Sequence, residues 1–448
     1  MTKPSEKQGL VSRRRVLKAA GATGLAAAAG PFFHVRPAHA AKELKILHWS
    51  HFVPRYDKWF NGDYTAAWGK KNDTKVTVDN INIAQLNSRG AAEVSARKGH
   101  DLVLFNWPPP SFEASVVDMK DVYVEVEKKW GKPIDLAVKS TYNPKTKKYF
   151  AFSDSFVPDP VNYRTDLWGD IGMKPDTYDD VRVGGKKIKD KTGIPVGIGV
   201  SGEIDTGMAM RAIMYSFGAS EQDRDGNLKI KSKNTLEALK YVKALFQEAM
   251  TDEVFAWDAS SNNRQMLAGK SSLVLNAISV TRTGENDKLP IHEKIGLARS
   301  AKGPVRRIGL EHVMNCYVIW NFAENIEGAK KFLIDYIDNF GKAFQESEFY
   351  NFPCIPKTVP DIKQQIAKDS KAVPPDKYKV LGDVLDWATN VGYPGYSHAA
   401  IDETFNTWVL NTMFAKAAKG VLTPEAALDE AEAAMKRIWA KWKEKGMI

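Results

Sequence analysis

Cysteine is nearly missing from this chain: Cys316 and Cys354 are the two thiols among 448 residues, and neither stands in a C-x-x-C motif. A disulfide scaffold and a zinc-ribbon or thioredoxin-type site are thereby excluded. In an oxidising compartment the two could pair. Two buried free thiols are the preferred reading, because Cys316 lies in the apolar run 313–320. Long apolar runs are also lacking, since no segment after residue 40 reaches the roughly 18 residues of a membrane span. G-x-S-x-G, a Walker loop and H-E-x-x-H are missing too, so no local motif announces acyl transfer, nucleotide binding or zinc hydrolysis. The dipeptide Glu311-His312 is too common to count as acid–base machinery. His48 and His51, on a strand end, make a poor metal pair. No cofactor and no metal are expected.

The formal charge of +10 invites a nucleic-acid reading that its distribution removes. Residues 1–40 hold Lys3, Lys7, Arg13, Arg14, Arg15, Lys18 and Arg36 against Glu6 alone, a net of +6 that leaves about +4 on the remainder. Those forty residues combine a basic start, an uncharged Ala/Gly-rich run over 19–33 and the small-residue end Ala38-His39-Ala40. This is the pattern of a removed export signal. The segment Ser12-Arg13-Arg14-Arg15-Val16-Leu17-Lys18 resembles the twin-arginine type, which carries folded proteins. Cleavage after Ala40 and a periplasmic location are expected.

The remaining 408 residues exceed one compact core and suit two or three domains. Segment 44–49 reads as a strand, 55–71 as a helix with Trp59, Phe60, Tyr64 and Trp68 on one side, and 74–83 as a second strand. A helix over 85–97 and a buried strand over 101–105 follow, an alternation that predicts βαβ crossovers and a parallel sheet. Strands at 194–200 and 272–277, helices at 207–217 and 236–250, a strand at 313–320 and a helix at 326–340 make further blocks. Thr423, Pro424 and Glu425 open a last helix, with Leu428, Ala431, Met435, Ile438 and Trp442 along its buried face.

In open α/β sheets ligands bind beyond the carboxyl ends of strands. That rule nominates Trp49, Ser50, His51 and Phe52, then Asn82 and Gln85, then Asn106 and Trp107 ahead of Pro108, Pro109 and Pro110. From the second block it nominates Ser201, Gly202, Glu203 and Asp205, then Asn276, Ser279 and Thr281. Aromatic rings beside amides, hydroxyls and carboxylates suit a sugar-like or other small polar solute.

Six segments, in order, carry a resemblance. Lys98-Gly99-His100-Asp101-Leu102-Val103-Leu104 looks like a "G-x-D-V-V" strand, 161–168 (VNYRTDLW) like "Y-N-x-D-L-F", and 172–180 (GMKPDTYDD) like "G-x-x-x-P-x-T-W-D-E". Further on, 266–273 (MLAGKSSL) is similar to "f-x-x-G-k-a-a-M", 350–356 (YNFPCIP) to "g-x-x-P-v", and 422–428 (LTPEAAL) to "l-T-p-e-e-A-L". Together they resemble the extracellular solute-binding proteins of ABC importers, in the sugar-binding group that includes maltose-binding protein. Two departures stand out: Glu311-His312-Val313-Met314 replaces the family's paired glycines, and Tyr178 its usual tryptophan.

The resemblance implies an α/β fold of the type II periplasmic-binding-protein kind. Its two discontinuous lobes would each be a sheet flanked by helices, joined by a hinge. The N-terminal lobe would comprise 41–155 and 308–352, and the other 156–307 and 353–448. Residue by residue, it implies ligand contacts from Trp49, Ser50, His51, Asn106 and Trp107, from Asp159 in the first crossover, and from Glu203, Asp205 and Asn276. Glu311 and His312 would follow the second crossover, and Tyr393 and Tyr396 would stack on a sugar. The implied function is capture of a small-molecule solute, a sugar by expectation, and delivery to ABC permease subunits. No catalysis and no nucleic-acid partner are implied, and the chain is expected to be a monomer. Two alternatives stay open: an exported lyase or glycosidase using carboxylates such as Asp159, Glu203 or Glu311, and the same fold holding a polyamine, an organic acid or a chelated metal.

Overall fold

A computed structural model describes residues 42–448; the expected export signal over 1–40 lies outside them. Aliphatic side chains at Leu44, Ile46 and Leu47 bury the first strand, β1 (Lys42–Trp49), on both faces. The aromatic segment that follows is one continuous helix over 54–71, built as α1 (Pro54–Lys58), a π turn (Trp59–Tyr64) and α2 (Thr65–Lys71). Phe60, Tyr64 and Trp68 recur every four residues, a spacing that drifts around an ordinary helix of 3.6 residues per turn. The wider π turn absorbs that drift. All three rings consequently meet Phe332 edge-on, at centroid distances of 5.9, 5.4 and 5.2 Å.

The chain continues through β2 (Thr74–Ile81), α3 (Leu86–Ala96) and β3 (Leu102–Phe105). Then come β4 (Phe152–Pro158), β5 (Val161–Arg164), α4 (Tyr178–Thr192), the two-residue β6 (Val196–Gly197) and α5 (Ile204–Ser216). After α6 (Lys233–Ala249) and α7 (Ser261–Leu267) come β7 (Leu273–Leu275), α8 (Ser279–Asn286) and β8 (Ile295–Ala298). The last part holds β9 (Gly309–Ile319), α9 (Ile326–Asp338), β10 (Phe352–Pro353), β11 (Ala388–Thr389), α10 (Ala399–Asn406) and α11 (Pro424–Glu444).

These strands form a large sheet, ordered β10-β4-β9-β3-β1-β2 with β11 beside β9, and a smaller one, ordered β8-β5-β7-β6. The chain passes from the large to the small sheet between Pro158 and Val161, and back between Ala298 and Gly309. Strands β1, β2 and β3 run parallel, as their connecting helices require. The sheet is nevertheless mixed rather than wholly parallel, because β9 runs antiparallel to both β3 and β4. The expected strand at 194–200 keeps a ladder only over Val196–Gly197. Beyond it the Val200 N–H turns to the Val254 carbonyl, and a side chain on Gly199 would meet the Thr206 hydroxyl.

Two register shifts interrupt the β9–β4 ladder. Glu311 opposes Pro158 and Val313 opposes Val157, which leaves His312 as the extra residue of a β-bulge. Met314 opposes Phe156 and Cys316 opposes Ser153, a second bulge that puts Asp154 and Ser155 across from Asn315. Bulges re-aim side chains next to functional sites. Cys316 and Cys354 are buried and free. Among the described residues no helix is long and apolar enough to cross a membrane.

Candidate functional site

The end of β1 presents an aromatic cluster. Trp49 is fully buried and packs on His51 at 4.9 Å, Phe52 at 5.3 Å and Tyr350 at 6.3 Å. His51 Nδ1 accepts from the Val53 N–H at 2.9 Å, so Nε2 carries the proton and faces Asn351 Oδ1 at 3.2 Å. Burial holds this imidazole neutral, lowering its pKa to about 3. Ser50 is exposed and its N–H continues the ladder to the Ile81 carbonyl. The end of β3 contributes Asn106, whose Nδ2 donates to Asn315 Oδ1 at 3.0 Å; Asn315 donates in turn to Ser155 Oγ at 2.9 Å. Trp107 packs on Phe405 of α10 at 5.6 Å.

The charged part of the site forms where the chain changes sheets. Asp159 stands between two prolines in the first crossover, which stiffen its backbone. His312, re-aimed by its bulge, lies with Nδ1 3.3 Å from Asp159 Oδ1 and Nε2 3.4 Å from Asp205 Oδ1. Neither contact is aligned as a hydrogen bond, so the attraction is electrostatic and Nδ1 and Asp159 Oδ1 keep unused bonding capacity. Burial opposes charge on His312, but Asp205, Asp159 and Glu203 together outweigh it and raise the imidazole to about 9. At neutral pH it is a buried cation.

Asp205 occupies the first turn of α5 and is pushed up to about 6 by burial, with His312 pulling it back. Glu203 caps the same helix, accepting from the Asp205 N–H at 2.7 Å and the Thr206 N–H at 2.5 Å. Burial, then the neighbouring Asp205, lift its carboxyl to about 8 against the pull of those donors. An amide relay extends from here: Asn262 donates to Asp205 at 2.6 Å and accepts from Asn276 at 2.7 Å. Asn276 also reaches Asn263, which donates to the Ser279 hydroxyl at 3.1 Å.

Among the described residues, several buried polar atoms here have no hydrogen-bond partner: Trp49 Nε1, Asn106 Oδ1, Trp107 Nε1, Asp159 Oδ1, His312 Nδ1 and the Tyr350 hydroxyl. Buried polar groups are almost always satisfied, so these donors and acceptors are open to a further partner. The arrangement offers flat apolar faces beside unsaturated polar atoms of both kinds.

The structure brings Asp159, Asp205, His312 and Asn276 into one connected network, with Glu203 at its edge. Trp49 and His51 form the neighbouring aromatic group. Glu311 is committed elsewhere: its Oε1 accepts from the Val391 N–H at 2.7 Å, and burial keeps its pKa well above the ordinary range. Tyr393 accepts from Arg306 and packs on Tyr215, while Tyr396 stands 6.1 Å from Tyr142; neither touches the network.

Tyr350, Asn262, Asn263 and Asn315 are members that motif reading passed over; tertiary pairing alone brings them in. Gly197-Ile198-Gly199-Val200-Ser201-Gly202 has G-x-G-x-x-G spacing between β6 and α5. Its helix N-terminus is already occupied by the Glu203 carboxylate, so it does not present a phosphate cradle.

Comparison with known proteins places this geometry. Over 175 residues the chain is 25% identical to a binding protein of Brucella abortus strain 2308, a match covering 38% of this chain and 42% of that one. The chain thus spans less than half the length of the curated relatives it matches. Among solved structures, maltose-bound MalE3 of T. maritima superposes with a TM-score of 0.72 at 18% identity, covering 89% of this chain and 100% of the other. A sugar transporter from Arthrobacter chlorophenolicus A6 with bound laminaribiose gives 0.74 at 16%, covering 88% and 99%. These likenesses show the fold, two lobes of sheet flanked by helices. A family model described as bacterial extracellular solute-binding protein matches residues 54–336, more than half the chain, and the chain belongs to that family.

Proposed function

We propose that this protein is the periplasmic substrate-binding component of an ABC importer, holding a carbohydrate-like solute in the cleft between its lobes. The observation that carries the reading is the set of buried, unpartnered polar atoms on Trp49, Asn106, Trp107, Asp159, His312 and Tyr350, interleaved with indole and phenol faces. Sugars present hydroxyls that both donate and accept around an apolar ring face, and this set complements them. Proteins of the same fold with bound maltose and laminaribiose support the choice of solute.

In this reading the lobes divide near the crossovers, close to the expected 41–155 with 308–352 and 156–307 with 353–448, except that β4 runs on to Pro158 and β11 (Ala388–Thr389) pairs in the large sheet. Solute that touches Trp49 and Asn106 on one side and Asp205 and Asn276 on the other stabilises the closed form, which the permease then recognises. The monomer suffices for this, after export directed by residues 1–40. A binding role accommodates the carboxyls as they stand: Asp159 and Asp205 flank one imidazolium, and both Glu203 oxygens are held by the first backbone N–H groups of α5.

Intrinsic tryptophan fluorescence during titration with mono- and oligosaccharides tests the reading, since Trp49 and Trp107 border the site. A saturable change without product formation is expected. Silence across all sugars, with a response to a polyamine or an organic acid, would overturn the carbohydrate assignment.

A further inference from the structure

The charge balance of the cleft carries a consequence for which solutes it can hold, and it rests on the carbohydrate reading above. Two carboxylates, Asp159 and Asp205, flank one imidazolium, His312, and the Glu203 carboxyl beside them, raised to about 8 by burial and by Asp205, adds a group that is mostly protonated at neutral pH. Among the described residues no lysine or arginine pairs with any of these carboxylates. Two arginines on neighbouring helices are engaged elsewhere: Arg211 of α5 with Glu221 at 2.6 Å, and Arg264 of α7 with Asp258 at 3.1 Å.

The polar contacts that hold Asp205 and Asn276 come from the neutral amides of Asn262 and Asn263, which add orientation but no charge. His312 is matched twice over by Asp159 and Asp205, so it has no charge left to offer an incoming anion. The Asp159 oxygen without a hydrogen-bond partner is an acceptor, suited to a hydroxyl or an ammonium. Asp159, Asp205 and His312 are each more than nine-tenths buried, where solvent screens charge weakly.

We propose that the cleft selects neutral and amine-bearing polyols and rejects those carrying a carboxylate or other anionic group. A uronic acid would bring a second unbalanced negative charge into a site that already holds an excess. An amino sugar would instead place its ammonium against Asp159 or Asp205. At about 6 Å and an effective dielectric near 20, one unbalanced pair of like charges weakens binding by about a hundredfold.

Titration calorimetry on the intact mature protein tests this with matched disaccharides: maltose, cellobiose and laminaribiose as neutral probes, the chitosan disaccharide as the amine, and digalacturonate as the acid. Spermidine and citrate serve as non-sugar cation and anion. The expected result is saturable binding of a neutral or amine-bearing probe, with digalacturonate and citrate weaker by about a hundredfold or undetectable. Asp205→Asn, confirmed folded by circular dichroism, should narrow that gap. Binding of digalacturonate or citrate as tightly as any neutral probe would overturn the inference, whatever the variant does. Binding of spermidine with none of the sugars would overturn the carbohydrate reading and leave the charge selection standing.

Discussion

Replacing His312 by glutamine removes the one cation between Asp159 and Asp205 while keeping a side chain of similar size. The imidazole is fully enclosed, and its pKa of about 9 compares with an ordinary 6.5. At about 1.4 kcal/mol per pKa unit, that corresponds to roughly 3 kcal/mol of folded-state preference for the charged ring. Because the folded value lies above the unfolded one, this stability is fully present below pH 6.5 and is lost as the pH rises through 9. His312→Gln should therefore lower the unfolding free energy by about 3 kcal/mol at pH 6 to 7. By pH 10 the two proteins should converge, since the wild-type ring is then neutral and both leave the aspartates facing each other. Urea unfolding at pH 6, 7, 8, 9 and 10, compared between variant and wild type, reads this directly. A difference that stays flat across the series, or one smaller than about 1 kcal/mol at pH 7, would refute the electrostatic reasoning.

Further outcomes follow from other residues. Burial raises the Asp154 carboxyl from 3.8 to about 7, and neither of its oxygens has a hydrogen-bond partner among the described residues. Its contribution to stability is fully present below pH 3.8 and lost as the pH rises through 7, so Asp154→Asn should gain on wild type by roughly 4 kcal/mol between pH 4 and 8 in the same unfolding assay. Tyr350→Phe deletes a buried hydroxyl with no partner among the described residues. It should leave stability within about 0.5 kcal/mol or raise it, while weakening solute affinity severalfold in calorimetry. Gly184→Ala on α4 would drive a methyl into the Trp168 ring; a loss of about 1–3 kcal/mol in chemical denaturation is expected.

Much of the scaffold is legible in the chain because local chemistry and tertiary context agree. The aromatic stripe of 55–71 reads as a helix face, although nothing in it announces the π turn, which lets Phe60, Tyr64 and Trp68 meet Phe332 together. Thr423 and Pro424 start α11 as their residue types require, with the Thr423 hydroxyl accepting from the Ala426 N–H at 3.1 Å. Strand β6 keeps two residues because beyond Gly197 the Val200 N–H bonds the Val254 carbonyl instead of a strand neighbour, a pairing no local pattern encodes.

The site divides in the same way. Asp205 and Asn276 sit where the carboxyl-end rule finds them, and Asp159 stands in the first crossover, where the family resemblance places it. Glu311 and His312 are adjacent in sequence, yet a bulge sends one to Val391 and the other to the aspartates. Tyr350, Asn262 and Asn315 join only through pairings over long separations, so a reading along the chain has no signal for them.

The central claim is that the cluster around Asp159, His312 and Asp205 holds a carbohydrate. A crystal structure of the protein isolated from its native periplasm with its solute retained tests this most directly. The expected result is a sugar ring against Trp49 or Trp107, with hydroxyls bonded to Asp159 and His312. A solute seated in a groove away from these residues, or a non-carbohydrate anion lodged between them, would contradict it.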